Sequence, residues 1–368
     1  MGYDIVPYDP RLEAEVVKLL RELWTPDVRV NAAHLRWKYF DNPSGIEPLI
    51  YVALADGAAV AMRGFYGSRW ESGGTAGSEP IPHADDLIVV PAHRNKGVVK
   101  PLMTLALSDL ARRGYRRVIN LGAQPITVLS SLADGWRRVG GVGAAGFDRE
   151  MPGLRGRLLG RLRRTRGLWR IEESIRHSHL RHPFRRLDRA ARTHRGPISV
   201  TRTPRPEAMA AMVASQPWDG RIRHVRDAAY LGWRFAHRYS DYRFVFWEED
   251  GLRGYLVLQR SLSRLHDATR VRLVDWCAAD HRVLRDLLTA ALDWGRFARF
   301  ATWTAGVDDA TRAVLEAVGC RPLVGVGLRA QGKGLLFRSL DGTWSPLGQH
   351  DPLTLQSWDL RMLDSMEG

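Results

Sequence analysis

The sequence predicts a protein of the α/β class, built as two similar lobes joined by an arginine-rich helical connector. Three observations point there. Over the first 150 residues, short β-branched runs alternate with apolar segments of helical spacing. From residue 198 the same succession begins again. Between the two, residues 152–195 are crowded with arginine and carry little acid.

Taken in order, YDIVP (3–7) predicts a strand and RLEAEVVKLLREL (11–23) a helix. HLRWKYF (34–40) predicts a second short helix, stopped by DNPSG. LIYVALADGAAVAMRGFY (49–66) is two apolar runs meeting at Asp56-Gly57, the signature of a hairpin. ESGGTAGS interrupts the chain, and HADDLIVV (83–90) resumes it as a strand. VVPAHRNKGVVKPLM (89–103) then packs Arg94, Lys96 and Lys100 around the single Gly97 before a helix over 98–113. RRVINLG (116–122) reads as a strand, PITVLSSLADG (125–135) as a helix, and WRRVGG opens the last strand of the lobe.

ISVTRTPRPEAMAAMVA (198–214) repeats strand then helix. Residues 228–259 echo 32–62, with Trp233 answering Trp37 and Asp250-Gly251 answering Asp56-Gly57; residues 287–320 echo 102–136. The organisation expected is therefore a first domain at 1–150, a connector at 151–197, a degenerate copy at 198–340 and a tail at 341–368. The second copy carries DWCAADHRVLRDLL where the first has its basic glycine turn. One lobe keeps a seat for an anion, and the other has lost it.

Composition narrows the class. Apolar residues make up 45% and charged residues 26% of 368, the balance of a globular chain long enough for two cores. No apolar run approaches the roughly 20 residues that span a bilayer. MGYDIVPYDPRLEAEVV lacks the apolar segment of a secretory signal, so the cytoplasm is the expected location. Cys277 and Cys320 match no metal or redox spacing, and no metal is expected. The net charge is +15, yet only five of the 55 basic residues are lysines. Such a field attracts anions whatever its origin. The connector reads first as a solvated helix surface packed between lobes, and after that as a contact for a membrane surface, RNA or an acidic glycan. No GxSxG, HExxH or GxGxxG occurs, so hydrolase, zinc protease and dehydrogenase readings find no support.

The glycine turn carries the chemistry. Unpaired N–H groups at a helix start, with the helix dipole, attract phosphate. Gly97 lets the backbone come close, and the neighbouring basic side chains add charge. The Asp85–Asp86 pair suits either acid–base work or a solvated strand start. Alternation along the strand sends Asp85 and Asp86 to opposite faces. His83 and His93 are further candidate bases, and Trp136 suits the core or a stacked substrate.

In this order of elements, these residues resemble the GNAT family of acyl-CoA-dependent N-acyltransferases. The family's loop reads Arg or Gln, two residues, Gly, one residue, Gly or Ala, after Val-x-Pro. Here Val89-Val90-Pro91 leads to Arg94, Asn95, Lys96, Gly97, Val98 and Val99, with valine where the small residue stands. Gln124-Pro125 and Gly135-Trp136 keep the spacing of the family's Asn-Pro helix and Gly-Phe ending, and Ser131 takes the place of its acidic Tyr. The resemblance covers most of residues 1–150 and, more weakly, 198–325.

The resemblance implies a central mixed β-sheet (an α+β arrangement) flanked by helices in each lobe, and acetyl-CoA or another acyl-CoA as cosubstrate. Ile88, Val89, Val90, Arg94, Asn95, Lys96, Gly97, Val98, Val99, Lys100 and Gln124 are then the coenzyme-binding residues. Backbone N–H groups near Ile88–Val90 are expected to hold the thioester carbonyl, and Asp86 to accept the proton of a primary amine. Ser131, a water or Tyr66 is expected to protonate the leaving thiolate. A likeness to members encoded with surface-polysaccharide genes suggests an amino sugar or glycan precursor as acceptor. Two alternatives stay open: a Fem-type aminoacyltransferase fed by charged tRNA, and an inactive module that binds acyl-CoA or an acidic partner. On the leading reading nucleic acid is not expected as a partner, and the basic connector is the candidate anionic contact.

Overall fold

The computed structural model describes residues 2–73, 77–123, 125–148, 182–237, 239–261, 270–323 and 334–366. Gln124 and residues 151–181 of the connector lie outside them.

The first lobe begins with β1 (Asp4–Pro7), α1 (Glu13–Leu19) and α2 (Val28–Leu35), which runs on as a π-helical turn over Arg36–Phe40. β2 (Leu49–Ala55) and β3 (Ala58–Glu71) form the expected hairpin, with Asp56 and Gly57 both at positive φ. β4 (Ser78–Val89) begins well ahead of the 83–90 expected for it, and α3 (Val99–Arg112), β5 (Arg117–Asn120), α4 (Pro125–Ala133) and β6 (Arg137–Gly141) follow close to their sequence positions. α3 is held by Leu102, Met103, Ala106 and Leu110, an i, i+4 stripe buried against the sheet.

The first lobe's run of chain ends with β7 (Ala145–Asp148); the second begins with α5 (Arg185–Thr193), then β8 (Ile198–Thr201), α6 (Pro206–Ser215), β9 (Ile222–His224) and α7 (Ala228–Phe235). β10 (Ser240–Glu248), β11 (Leu252–Ser261), β12 (Arg270–Ala278) and α8 (His281–Gly295) come next. β13 (Arg299–Thr302), α9 (Asp309–Ala317) and β14 (Arg321–Pro322) complete the repeat. The chain then returns through β15 (Gly334–Ser339) and β16 (Trp358–Asp359).

The sheets exchange strands. In the first, the order is β1-β2-β3-β4-β5-β15-β6; in the second, β14-β7-β13-β12-β11-β10-β8. β15 comes from the far end of the chain to fill the gap between β5 and β6, and β7 fills the matching gap between β13 and β14. The first lobe thus lends β7 and the second lends β15, with β9 and β16 also joining the first sheet beside β3, as in a domain swap kept within one chain.

The seam between the lobes repeats this reciprocity. Trp37 and Trp233 stack at 4.8 Å and 13°, and each indole N–H donates to the other's carbonyl oxygen, at 2.8 and 2.7 Å. A single apolar cluster runs across this seam, from Leu20 and Trp24 to Leu231 and Phe246. The last segment belongs to it too, with Trp358, Leu360 and Leu363 fully buried.

Candidate active site

β4 and β5 are parallel neighbours that touch at one register pair, His83 opposite Ile119. Beyond it they part, and the end of β4 faces an open cleft. β4 also carries a bulge: Met62 pairs Ile88 and Gly64 pairs Asp85, so Asp86 and Leu87 together oppose Arg63. Asp86 adopts a left-handed φ of 47° to make it.

The bulge corrects one expectation. Asp85 and Asp86 do not point apart; Lys38 Nζ donates to Oδ2 of both, at 2.8 Å each. An extra residue in a pleated strand breaks the two-residue alternation, and both carboxylates fall on the α1–α2 side. Nor is the pair a solvated strand start. Asp86 is buried and also accepts from Trp24 Nε1 (3.0 Å) and the Tyr39 hydroxyl (2.7 Å). Burial alone would raise the Asp85 carboxyl, but the Lys38 ammonium outweighs it and holds the group at about 2. Burial opposes the charge of Lys38 in turn, and the two carboxylates more than restore it, raising its pKa.

His83 sits at the point where the strands part. Its Nε2 accepts the backbone N–H of Leu121 at 3.0 Å, so the proton is on Nδ1, which lies 2.5 Å from the Tyr66 hydroxyl. The Tyr66 hydroxyl in turn donates a hydrogen bond to the carbonyl oxygen of Asp364, at 3.1 Å. Burial, aided by nearby cations, pulls the His83 pKa down to about 3. With its lone pair committed, this neutral imidazole is a structural link rather than a free base.

The chain leaves β4 through a short 3₁₀ turn, Pro91–His93, into the glycine loop. Val90 donates its N–H to Val60 O at 2.9 Å, turning it toward β3; Ile88, in register with Met62, shares that side by alternation. The N–H of Val89 therefore faces the cleft. Asn95 (φ 61°) and Gly97 (φ 77°) both turn left-handed, and a Cβ on Gly97 would meet nothing within 4 Å. α3 then starts with no side-chain cap and no acid in its first turn, leaving its leading amides free. Lys96 and Lys100 are exposed beside it. Arg94 points elsewhere: its Nε donates to Val89 O (3.0 Å) and its guanidinium pairs with Glu22 (3.4 Å).

Ser131 is buried in α4 and shares a small cavity with Arg63, Leu87, Val99 and Met103, so it faces the parted strands from below. Trp136 is core. A second space of about 260 Å³ lies on the other side of β4, between Glu22–Leu23 and Leu87–Val89, with Arg94 at its edge. Residue patterns did not single out Lys38, Trp24 or Tyr39. Lys38 had one signal: in a chain that uses arginine almost throughout, it is one of five lysines, and a compact ammonium fits between two carboxylates where a planar guanidinium does not.

Residues 15–126 match the family described as the Acetyltransferase (GNAT) family. No curated protein sequence matches the chain. Among solved structures, a probable N-acyltransferase from Enterococcus faecalis superposes with a TM-score of 0.58 at 11% identity, over 93% of this chain and 73% of that one. A GCN5-related N-acetyltransferase from Anabaena variabilis gives 0.54 at 10% identity, over 92% and 73%. A tandem GNAT protein from the clavulanic acid biosynthesis pathway gives 0.52 at 13% identity, over 93% of this chain and 100% of that one. At such identities the structures speak for the fold, and they do so for both lobes at once. The family match thus covers residues 15–126 of the first lobe, and the fold likeness to these N-acyltransferase structures runs through both lobes.

Proposed function

We propose that the first lobe transfers an acyl group, acetyl in the simplest case, from coenzyme A directly to a primary amine. One contrast supports this reading. α3 opens uncapped behind Asn95 and Gly97, where β4 has parted from β5, whereas α8, at the equivalent place in the second lobe, is capped by Asp280. An uncapped helix start with open space over a glycine fits a diphosphate.

Coenzyme A brings an activated thioester; the chain's residues do the rest. The amides of Val99 and Lys100, with the ammonium groups of Lys96 and Lys100, hold the diphosphate. The cleft-facing N–H of Val89 donates to the thioester carbonyl and strengthens that bond as the oxygen gains charge. Asp86, sealed by three donors, keeps Lys38 and the bulge in place. Asp85 is the carboxylate that a water can reach, its side chain 14% exposed. Held ionised at about 2, it orients a water that takes the amine proton. Ser131 supplies the proton for the departing thiolate. The acceptor enters through the space beside Val89, and an amino sugar or surface-glycan precursor is proposed on family likeness alone.

The test is release of free thiol from acetyl-CoA across a panel of amines, together with coenzyme binding to Gly97→Asp. A carboxylate at 97 repels the phosphates, and binding is expected to weaken by roughly 100-fold, about 2.7 kcal/mol. Unchanged binding by a folded variant would place the coenzyme elsewhere.

A further inference from the structure

Arg63 stands on β3 opposite the bulge, where Asp86 and Leu87 together face it, and it is 3% exposed. Alternation puts it on the face of Phe65, which packs with Leu102 and Trp136 on the α3 side; Gly64 between them faces Tyr39 on the other. Its guanidinium lies 5.4 Å over the Phe65 ring. It forms no ion pair among the described residues, and its Nε is buried with no hydrogen-bond partner there. Other buried arginines are matched: Arg117 pairs with Glu79, Arg226 with Asp275, and Arg243 with Asp188 and Asp241. Burial lowers the Arg63 pKa, and Asp85, Tyr39 and Asp86 offset it in part, but both carboxylates are already held by Lys38. A guanidinium stays charged even so. An unpaired buried cation is costly to a fold.

Arg63 walls a cavity of about 10 Å³ under the parted strands, together with Leu87, Val99, Ser131, Asp134 and Trp136. That is room for one water-sized group. Trp136 brings a second orphan, since its indole N–H is also buried with no partner among the described residues. Asp134 is half-buried and forms no ion pair with Arg63. Two residues with enclosed, unsatisfied donors thus border space for one acceptor, and such donors cost free energy until something takes them. The place is fixed along the coenzyme's path. Val99 opens α3 at the diphosphate seat, and Leu87 stands two residues before Val89, whose N–H faces the thioester carbonyl. The atom bonded to that carbonyl carbon is the sulfur.

We propose that Arg63 is a catalytic residue, the cation that takes up the negative charge of the departing coenzyme A sulfur. The inference rests on the acyl transfer proposed above. When the tetrahedral adduct collapses, the carbon–sulfur bond breaks, its electron pair goes to sulfur, and the carbonyl re-forms on the amide product. A hydroxyl is a weaker acid than a thiol, so Ser131 alone is a poor proton source while that bond is breaking. With the guanidinium beside it, the sulfur leaves as thiolate and takes its proton afterwards, through Ser131 from water. An acyl tail ending in a carboxylate, the other anion that suits an arginine, is larger than the cavity. Between turnovers the space admits a water.

Ultraviolet difference spectra of the full chain with coenzyme A read the thiolate directly. Bound coenzyme A is expected to show about tenfold more thiolate than free coenzyme near neutral pH, where a free thiol is only a few per cent ionised. Arg63→Met keeps the length of the side chain and removes the charge. It should bind coenzyme A much as wild type does, lose the thiolate band and drop kcat for thiol release by roughly 100-fold, with KM for acetyl-CoA little changed. Its Tm should match or exceed that of wild type, because an unpaired buried charge has gone. Arg63→Lys, which keeps the charge, should restore part of the band and of the rate. A wild type whose bound coenzyme shows no more thiolate than the free coenzyme overturns the proposal, and that reading needs no variant. A folded Arg63→Met that keeps the band and the wild-type kcat overturns it equally. Either result leaves coenzyme binding and the acyl-transfer reading standing, whereas a wild type that binds no coenzyme A removes both.

Discussion

The imidazole of His83 accepts the backbone N–H of Leu121 across the one register pair that still joins β4 to β5. At that point a side chain, not a strand carbonyl, accepts the N–H. The cleft therefore starts at a defined place. His83→Ala strands that N–H, takes one of the two partners of the Tyr66 hydroxyl and leaves a void, so it is expected to cost about 2–4 kcal/mol in urea unfolding. His83→Gln, whose amide reaches part of the way, recovers some of it. An unfolding midpoint for His83→Ala equal to wild type would mean the link carries no load.

Lys38 makes a sharper case. Its ammonium is fully buried between Asp85 and Asp86, and removing one member of such a group leaves uncompensated charge. Lys38→Met is expected to lose roughly 3–5 kcal/mol. Adding Asp85→Asn and Asp86→Asn removes the stranded charges and returns a good part of that loss, a non-additivity readable in a mutant cycle. Additive losses would show that the three groups are not coupled.

Stability should fall in acid, with a sign fixed by three buried groups. His83 and His224 are both pulled down to about 3, chiefly by burial, from about 6.5 when unfolded. The unfolded chain then binds more protons between those values, so each histidine's stabilisation is complete above about pH 6.5 and lost as pH falls toward 3. Its slope is about 1.4 kcal/mol per pH unit. Asp364 works the other way. Burial raises it from 3.8 to about 7, so its contribution is present in acid and fades as pH rises through that range. Two histidines outweigh one aspartate between about pH 4 and 6.5. His224→Gln should flatten the measured slope there by about 1.4 kcal/mol per unit; an unchanged slope would mean His224 is not neutral in the fold.

The repeat, the hairpins at Asp56-Gly57 and Asp250-Gly251 and the glycine turn were legible in the sequence because each rests on local chemistry. A residue pair that needs positive φ, or a lone glycine among basic residues, declares itself within a few positions. The bulge at Asp86 did not, because it depends on what lies across the strand: Gly64 has no side chain, and the Tyr39 ring fills the space where its Cβ would be. The exchange of β7 and β15 was equally hidden. Both are short strands that read alike in either sheet, and only the full topology says which gap each fills.

That exchange leads to a prediction about the whole molecule. Because each sheet is completed by the other lobe's strand, and Trp37 and Trp233 tie the seam reciprocally, neither lobe can unfold while the other stays whole. Urea unfolding is expected to show one transition by both far-UV circular dichroism and tryptophan fluorescence, despite a length at which separate domain transitions are common. Trp37→Phe and Trp233→Phe each remove one indole donor and orphan one carbonyl, an expected cost of about 1–2 kcal/mol apiece. The double variant should cost measurably less than their sum, since the two hydrogen bonds and the stack form one unit. Two resolved transitions, or strict additivity of the two losses, would mean the lobes are merely adjacent and that the strands crossing between them do not make the fold cooperative.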